Sequence, residues 1–315
     1  MDWIFKRGYE LPTRQLIKGD VMKLIFIHGR SQGGKNPDAL KSQWQDALVE
    51  GLDKAGLVLP SDLEISFPFY ADHLDQLVEV QQKTPNVKVN IRGDASDSGL
   101  QEFQTQFLSE IAGNVGLTQE DISEYSTDVT RERGPANWGW IQSMLEAIDK
   151  NSGFGDKALN RYTKDVFTYL TSSKVQDAVD QIVIDHFDDE PCLVVGHSLG
   201  SIVGYNVLRK LSPKVSRYIT LGSPLALKSV KTRLNPLPIT MPDTTGYWFN
   251  AYDERDVVAL FPLDEDNFPI QPSILNYGKV DNTTDNRHGI SGYLSDPFVA
   301  QSIYVGLGDL TLSTQ

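Results

Sequence analysis

Gly196-His-Ser-Leu-Gly200 sets a serine between two glycines, after the apolar run Leu193-Val-Val195 and before a helical pattern over 199–211. In a G-x-S-x-G arrangement the serine sits on a strained strand-to-helix turn. Side chains at the glycine positions would collide with the neighbouring strand or helix. The turn exposes the hydroxyl at a helix N-terminus, where backbone N–H groups can receive an oxyanion. The chemistry indicated is nucleophilic attack by Ser198. A second match, Gly29-Arg-Ser-Gln-Gly33, has a different context. Ser31 is followed by Gly33-Gly-Lys-Asn-Pro37, a loop that delays the helix, so Ser31 is the poorer candidate. Gly34-Lys35 is followed by Asn36, which breaks the G-K-[ST] of a phosphate-binding loop.

A serine hydroxyl needs a base, and a serine on such a turn goes with the chain order Ser, acid, His. Of the five histidines, His28, His73 and His186 precede Ser198 and His197 adjoins it. His288 alone follows, in the polar stretch Asp285-Asn-Arg-His-Gly-Ile-Ser-Gly-Tyr293. It is the candidate base; the plain alternative is a surface-loop histidine. The base needs a carboxylate to fix its tautomer. Asp253 and Asp256 both follow the apolar run at 247–251, and Asp281 and Asp285 lie nearer His288. Asp253 could instead cap its own turn.

These residues must be held by a regular frame. Val21-Met-Lys-Leu-Ile-Phe-Ile27 is nearly continuous in apolar character, as a strand buried on both faces is. Pro37 opens a helix through about Leu52. Leu63–Phe69, Leu193–Val195, Val215–Leu221, Tyr247–Ala251 and Ile274–Val280 read as further strands. Residues 175–183 and 199–211 read as helices between them, and 296–307 as a closing helix. Residues 1–20 suggest a short strand and a turn. Strands alternating with helices predict a mostly parallel sheet covered on both faces. From about Ala71 to Lys174 the pattern is helical instead: Leu100, Phe103, Phe107, Leu108 and Ile111 share one helical face. The expectation is a single domain over 1–315 with a helical cap inserted at 71–174.

Five segments, in order, resemble an α/β-hydrolase of the bacterial lipase and esterase branch: Ile25–Arg30, Leu193–Gly204, Ile219–Pro224, Trp248–Ala259 and His288–Tyr293. The resemblance implies an α/β-hydrolase fold and serine ester hydrolysis with no metal or organic cofactor. The Ile-His-Gly-Arg30 stretch is similar to the family's oxyanion loop, so the oxyanion hole falls to the backbone N–H groups of Arg30 and Leu199; otherwise the loop is an ordinary glycine-rich turn. Asp256-Val-Val-Ala259 resembles the stretch around the family's acid, which favours Asp256 over Asp253. The His-Gly loop comes by residue 28, so the family's first two strands are short or missing. The insertion precedes the nucleophile, where the family's commonest cap follows it.

Bulk properties set limits. A formal net charge of −13 repels phosphate backbones, so nucleic acid is excluded as a partner. The densest basic stretch, Lys228–Arg233, is too short to offset it. One cysteine, Cys192, permits no intrachain disulfide and reads as a buried small hydrophobe. No run of about 18 apolar residues exists to span a bilayer, and no leader pattern opens the chain. A cytoplasmic location is the expectation. Phe103, Phe107, Trp138, Trp140 and Phe154 could wall an acyl site for a small-molecule or lipid ester, or form the cap's own core. The cap could also bind a protein partner, making the chain a conditionally active module. Acyl transfer or thioester cleavage would use the same three residues.

Overall fold

Leu24-Ile-Phe-Ile27 sends alternate side chains into two apolar cores, and all four are fully buried. The structure, a computed structural model, describes residues 22–30, 32–83, 97–125, 138–243 and 245–313. Ser31 and the strand and turn expected over 1–20 lie outside the described residues.

The strands are β1 (Met22–Ile27), β2 (Leu63–Ser66), β3 (Cys192–His197), β4 (Val215–Leu221), β5 (Thr245–Ala251) and β6 (Leu275–Tyr277). They form one open parallel sheet in the order β2-β1-β3-β4-β5-β6. Between them run α1 (Pro37–Lys54), α2 (Ala71–Lys83), α3 (Asp97–Asn114), α4 (Gln119–Ser123), α5 (Trp138–Ser152), α6 (Asp156–Thr171) and α7 (Ser173–Ile184). After β3 come α8 (Leu199–Leu211), α9 (Lys228–Lys231), α10 (Ile290–Leu294) and α11 (Pro297–Ser313). The class is α/β, as the alternation of patterns predicts.

Local sequence explains the boundaries. Asn36 caps α1 by accepting from Ala39 N at 3.0 Å, with Pro37 at the first turn. Asp296 caps α11 in the same way, accepting from Phe298 N and Val299 N. The strand expected to reach Phe69 stops at Ser66, because Pro68 has no N–H for a ladder. The strand expected over 274–280 narrows to Leu275–Tyr277 at the sheet edge. Cys192 is a buried free thiol.

Helices α1, α10 and α11 cover one sheet face through Trp44, Leu48, Tyr293 and Ile303, against Phe26, Val195 and Phe249. The other face carries Ile25, Ile27 and Val194. Their core is continuous with Phe103, Phe107, Met144, Ile148 and Val166 of the helical stretch. That stretch therefore shares the sheet's core instead of enclosing one of its own. Glu110 of α3 ties it to α9 on the same face, accepting from Lys228 N at 2.6 Å and Ser229 N at 2.9 Å.

Strand order reverses between β1 and β3, since β1 leads outward to β2 and the chain then returns to β1's other side. In open parallel sheets the crevice beyond the strand C-termini at such a reversal takes ligands. Ile27 is level with Gly196, His197 with Leu221, and Leu221 with Ala251. The loops carrying Arg30, Ser198 and Asp256 thus leave the sheet side by side.

Candidate active site

Ser198 ends β3 and opens α8 with φ 54° and ψ −125°. That backbone conformation is rare for a non-glycine residue and costs about 1–3 kcal/mol. The packing that holds it is visible at Gly200, where a Cβ would fall 2.2 Å from the Ile27 carbonyl oxygen. Ser201 then turns its hydroxyl onto the Ser198 carbonyl at 2.6 Å and meets Ser223 Oγ at 2.7 Å.

His288 Nε2 lies 2.8 Å from Ser198 Oγ, and His288 Nδ1 lies 2.7 Å from Asp256 Oδ2. With Asp256 accepting at Nδ1, the imidazole presents an unprotonated Nε2 to the serine hydroxyl. Three segments separated by dozens of residues meet here: the β3–α8 turn, the loop after β5 and the loop before α10. Asp256 accepts two further bonds, from Tyr293 OH at 2.6 Å and from Val258 N at 3.0 Å. Burial, reinforced by the Asp256 charge, raises the Tyr293 phenol well above its usual range, so its hydroxyl remains a donor.

The other carboxylates sit elsewhere. Asp253 accepts from Arg255 N at 2.8 Å and Asn282 N at 2.9 Å, and pairs with the Arg255 guanidinium. It fastens the β5 loop to the segment that carries His288. Asp281 is exposed and pairs with Arg255 and Arg287. Asp285 is exposed on the loop surface.

The His288 loop is anchored from several sides. His197 Nε2 donates to the His288 carbonyl at 2.8 Å. Asn282 Nδ2 donates to Gly289 O, and Thr284 Oγ1 accepts from Gly289 N. Burial holds the His197 imidazole neutral, its pKa well below the usual value.

On the opposite side of Ser198 lies the His28–Arg30 loop. A Cβ at Gly29 would fall 2.8 Å from Ser198 Cβ, so this backbone abuts Ser198. Leu199, as first residue of α8, has a backbone N–H with no acceptor inside the helix. His28 accepts from Tyr70 N at Nε2, donates from Nδ1 to Gly29 O at 2.7 Å, and receives the Tyr70 hydroxyl at its carbonyl. Burial lowers the His28 pKa to about 4. The Arg30 side chain is buried between two carboxylates, Asp75 of α2 at 2.5 Å and Asp165 of α6. Burial raises the Asp165 pKa to about 6, and the Arg30 charge opposes the shift.

The helical stretch reaches the site through Tyr162 and Phe154. The Tyr162 hydroxyl is 3.4 Å from Ser198 Oγ, and the Phe154 ring lies 5.6 Å from that of His288. Phe103 and Phe107 are fully buried in the helical core, while Trp138 is exposed. Beneath this cover Ser198 is only 2 % and His288 7 % exposed.

No family model, no curated protein and no solved structure matches the chain. Its function is therefore read from the geometry. The arrangement can make an alkoxide-like attacker of Ser198 beside the N–H groups that open α8. Tyr162 and Tyr293 carry no sequence signal that separates them from ordinary core tyrosines. Among the described residues no helix is long and apolar enough to cross a membrane.

Proposed function

We propose that the protein is a serine hydrolase of α/β-hydrolase type that cleaves a carboxylic ester through an acyl-enzyme. The observation that carries this reading is the Ser198–His288–Asp256 chain of 2.8 Å and 2.7 Å contacts, starting from a serine at φ 54°. In this reading His288 takes the Ser198 proton as Oγ bonds the acyl carbon. The Leu199 and Arg30 amides receive the oxyanion. The leaving alcohol takes the proton from His288, and water then releases the acid with His288 again as base. No metal or organic cofactor has a role in these steps.

A lipid or small acyl ester is the favoured substrate, on the evidence of Phe154 and Tyr162 beside His288. An acidic surface disfavours polyanionic substrates. The helical stretch between β2 and β3 acts as the cap, and the cytoplasm is the proposed location.

The burial of Ser198 favours one second reading, in which activity is conditional. The cap then opens for a lipid surface or a protein partner, or the enzyme passes the acyl group to an acceptor other than water. The decisive experiment treats the purified chain with a fluorophosphonate probe and p-nitrophenyl esters of graded length. Labelling and turnover that both vanish in Ser198→Ala support hydrolysis. Labelling without turnover supports the conditional reading. Labelling that survives in Ser198→Ala removes both.

A further inference from the structure

The serine has one proton, and the structure indicates where it goes. His288 Nε2 is the nearer acceptor at 2.8 Å, and it is free to accept because Nδ1 faces Asp256. The Tyr162 hydroxyl, at 3.4 Å from the same oxygen, therefore keeps its own proton available to point at the reacting centre.

Tyr162 is packed on several sides. Its ring stands edge-on to His288 at 6.2 Å and 80°, and packs against Phe107 and Phe154. The residue is 4 % exposed. Asp165 lies three residues further on, hence on the same face of α6, and grips Arg30 of the loop across from Ser198. The Tyr162 hydroxyl is thus held 3.4 Å from Ser198 Oγ by a helix that also grips the His28–Arg30 loop, within reach of an oxygen on the carbon that Oγ attacks.

We propose that Tyr162 is a catalytic residue whose hydroxyl donates a hydrogen bond to the carbonyl oxygen as that oxygen becomes an oxyanion. This rests on the serine-hydrolase reading. The step balances without a further reagent. Oγ–C bond formation moves the carbonyl π pair onto oxygen, and the serine proton passes to His288. Tyr162 keeps its proton throughout and shares it as a hydrogen bond. On collapse the C=O bond reforms, the leaving alkoxide takes the His288 proton, and the Tyr162 bond weakens. The helical stretch then supplies a donor that the sheet lacks, so covering Ser198 and completing its site become one event.

The test uses the full chain with a p-nitrophenyl ester and a fluorophosphonate, comparing the natural protein with Tyr162→Phe. Loss of a preorganised oxyanion donor lowers kcat by about a hundredfold, with KM little changed and labelling of Ser198 correspondingly slowed. A second variant carries 3-fluorotyrosine at position 162; it keeps the hydroxyl, is a stronger donor and raises kcat above the natural value. Should Tyr162→Phe destabilise the fold, the 3-fluorotyrosine protein carries the test, and an unchanged kcat there overturns the proposal. Unchanged kcat and labelling in Tyr162→Phe overturn the proposal while leaving the hydrolase reading in place. A rise in kcat in Tyr162→Phe overturns it too, and marks the side chain as a plug. If the natural protein is not labelled at Ser198, the hydrolase reading fails and the role of Tyr162 falls with it.

Discussion

Tyr293 donates its hydroxyl to the same Asp256 oxygen that faces His288, at 2.6 Å against 2.7 Å for the imidazole. Asp256 is therefore oriented by a buried donor before it orients anything else. Asp253, three residues earlier, spends its oxygens on Arg255 and the Asn282 amide. The two acids separate by experiment. Asp256→Asn permits the wrong imidazole tautomer, and kcat on an activated ester falls by about four orders of magnitude. Asp253→Asn leaves the Asn282 amide short of a strong acceptor and costs about 1–3 kcal/mol of stability, with a far smaller effect on kcat. Parallel kinetics and urea titrations check both; equal losses of kcat would reject the assignment of Asp256.

Removing Asp165 strands the buried Arg30 charge with Asp75 as its remaining partner. Asp165→Ala should cost about 3 kcal/mol, at the low end for breaking a buried pair. Arg30→Met combined with Asp165→Leu should recover most of that loss, because no unpaired charge remains. Denaturant midpoints of Arg30→Met, Asp165→Leu and the double variant form the cycle that decides it.

Stability should fall in mild acid. The unfolded His28 takes a proton below its usual 6.5, while the folded one waits until about 4. Its contribution is complete above pH 6.5 and lost as pH drops through that interval, by about 3 kcal/mol. His197, also held neutral by burial, acts in the same direction. Asp165 opposes them: its folded pKa of about 6 lies above its usual 3.8, so its contribution is present below 3.8 and lost as pH rises through 6. Asp180 and Asp296, raised by burial, act with Asp165, and His186, lowered by burial, acts with His28; the deep displacement of His197 decides the balance. The urea midpoint should decline from pH 7 to pH 4, and His28→Gln should flatten the decline.

Ser198→Gly tests the stored strain. Glycine accepts φ 54° freely, so the inactive variant should gain about 1 kcal/mol over the natural chain. A melting temperature at or below that of Ser198→Ala would show that the turn is not strained.

Ser198 was legible because a G-x-S-x-G lay between an apolar strand and an immediate helix, a local pattern with one geometric solution. The parallel sheet was legible for a similar reason: strands buried on both faces are apolar throughout. The preference for Asp256 over Asp253 rested on the Asp256-Val-Val-Ala259 resemblance alone. Both follow β5, and what separates them is Tyr293 and Asn282, residues far along the chain. Tyr162 was hidden more deeply. On an amphipathic helix a tyrosine facing the core looks the same whether its hydroxyl meets solvent, a carbonyl or a nucleophile. The Arg30–Asp165 pair spans 135 residues, beyond the reach of any spacing rule.

Helix α6 holds two grips on the sheet less than one turn apart: Asp165 on Arg30 and Tyr162 over Ser198. A rigid displacement of α6 large enough to admit substrate would pull the carboxylate from the guanidinium in the same stroke. On the hydrolase reading, uncovering Ser198 and loosening the Arg30 loop are thereby geared to a single lever.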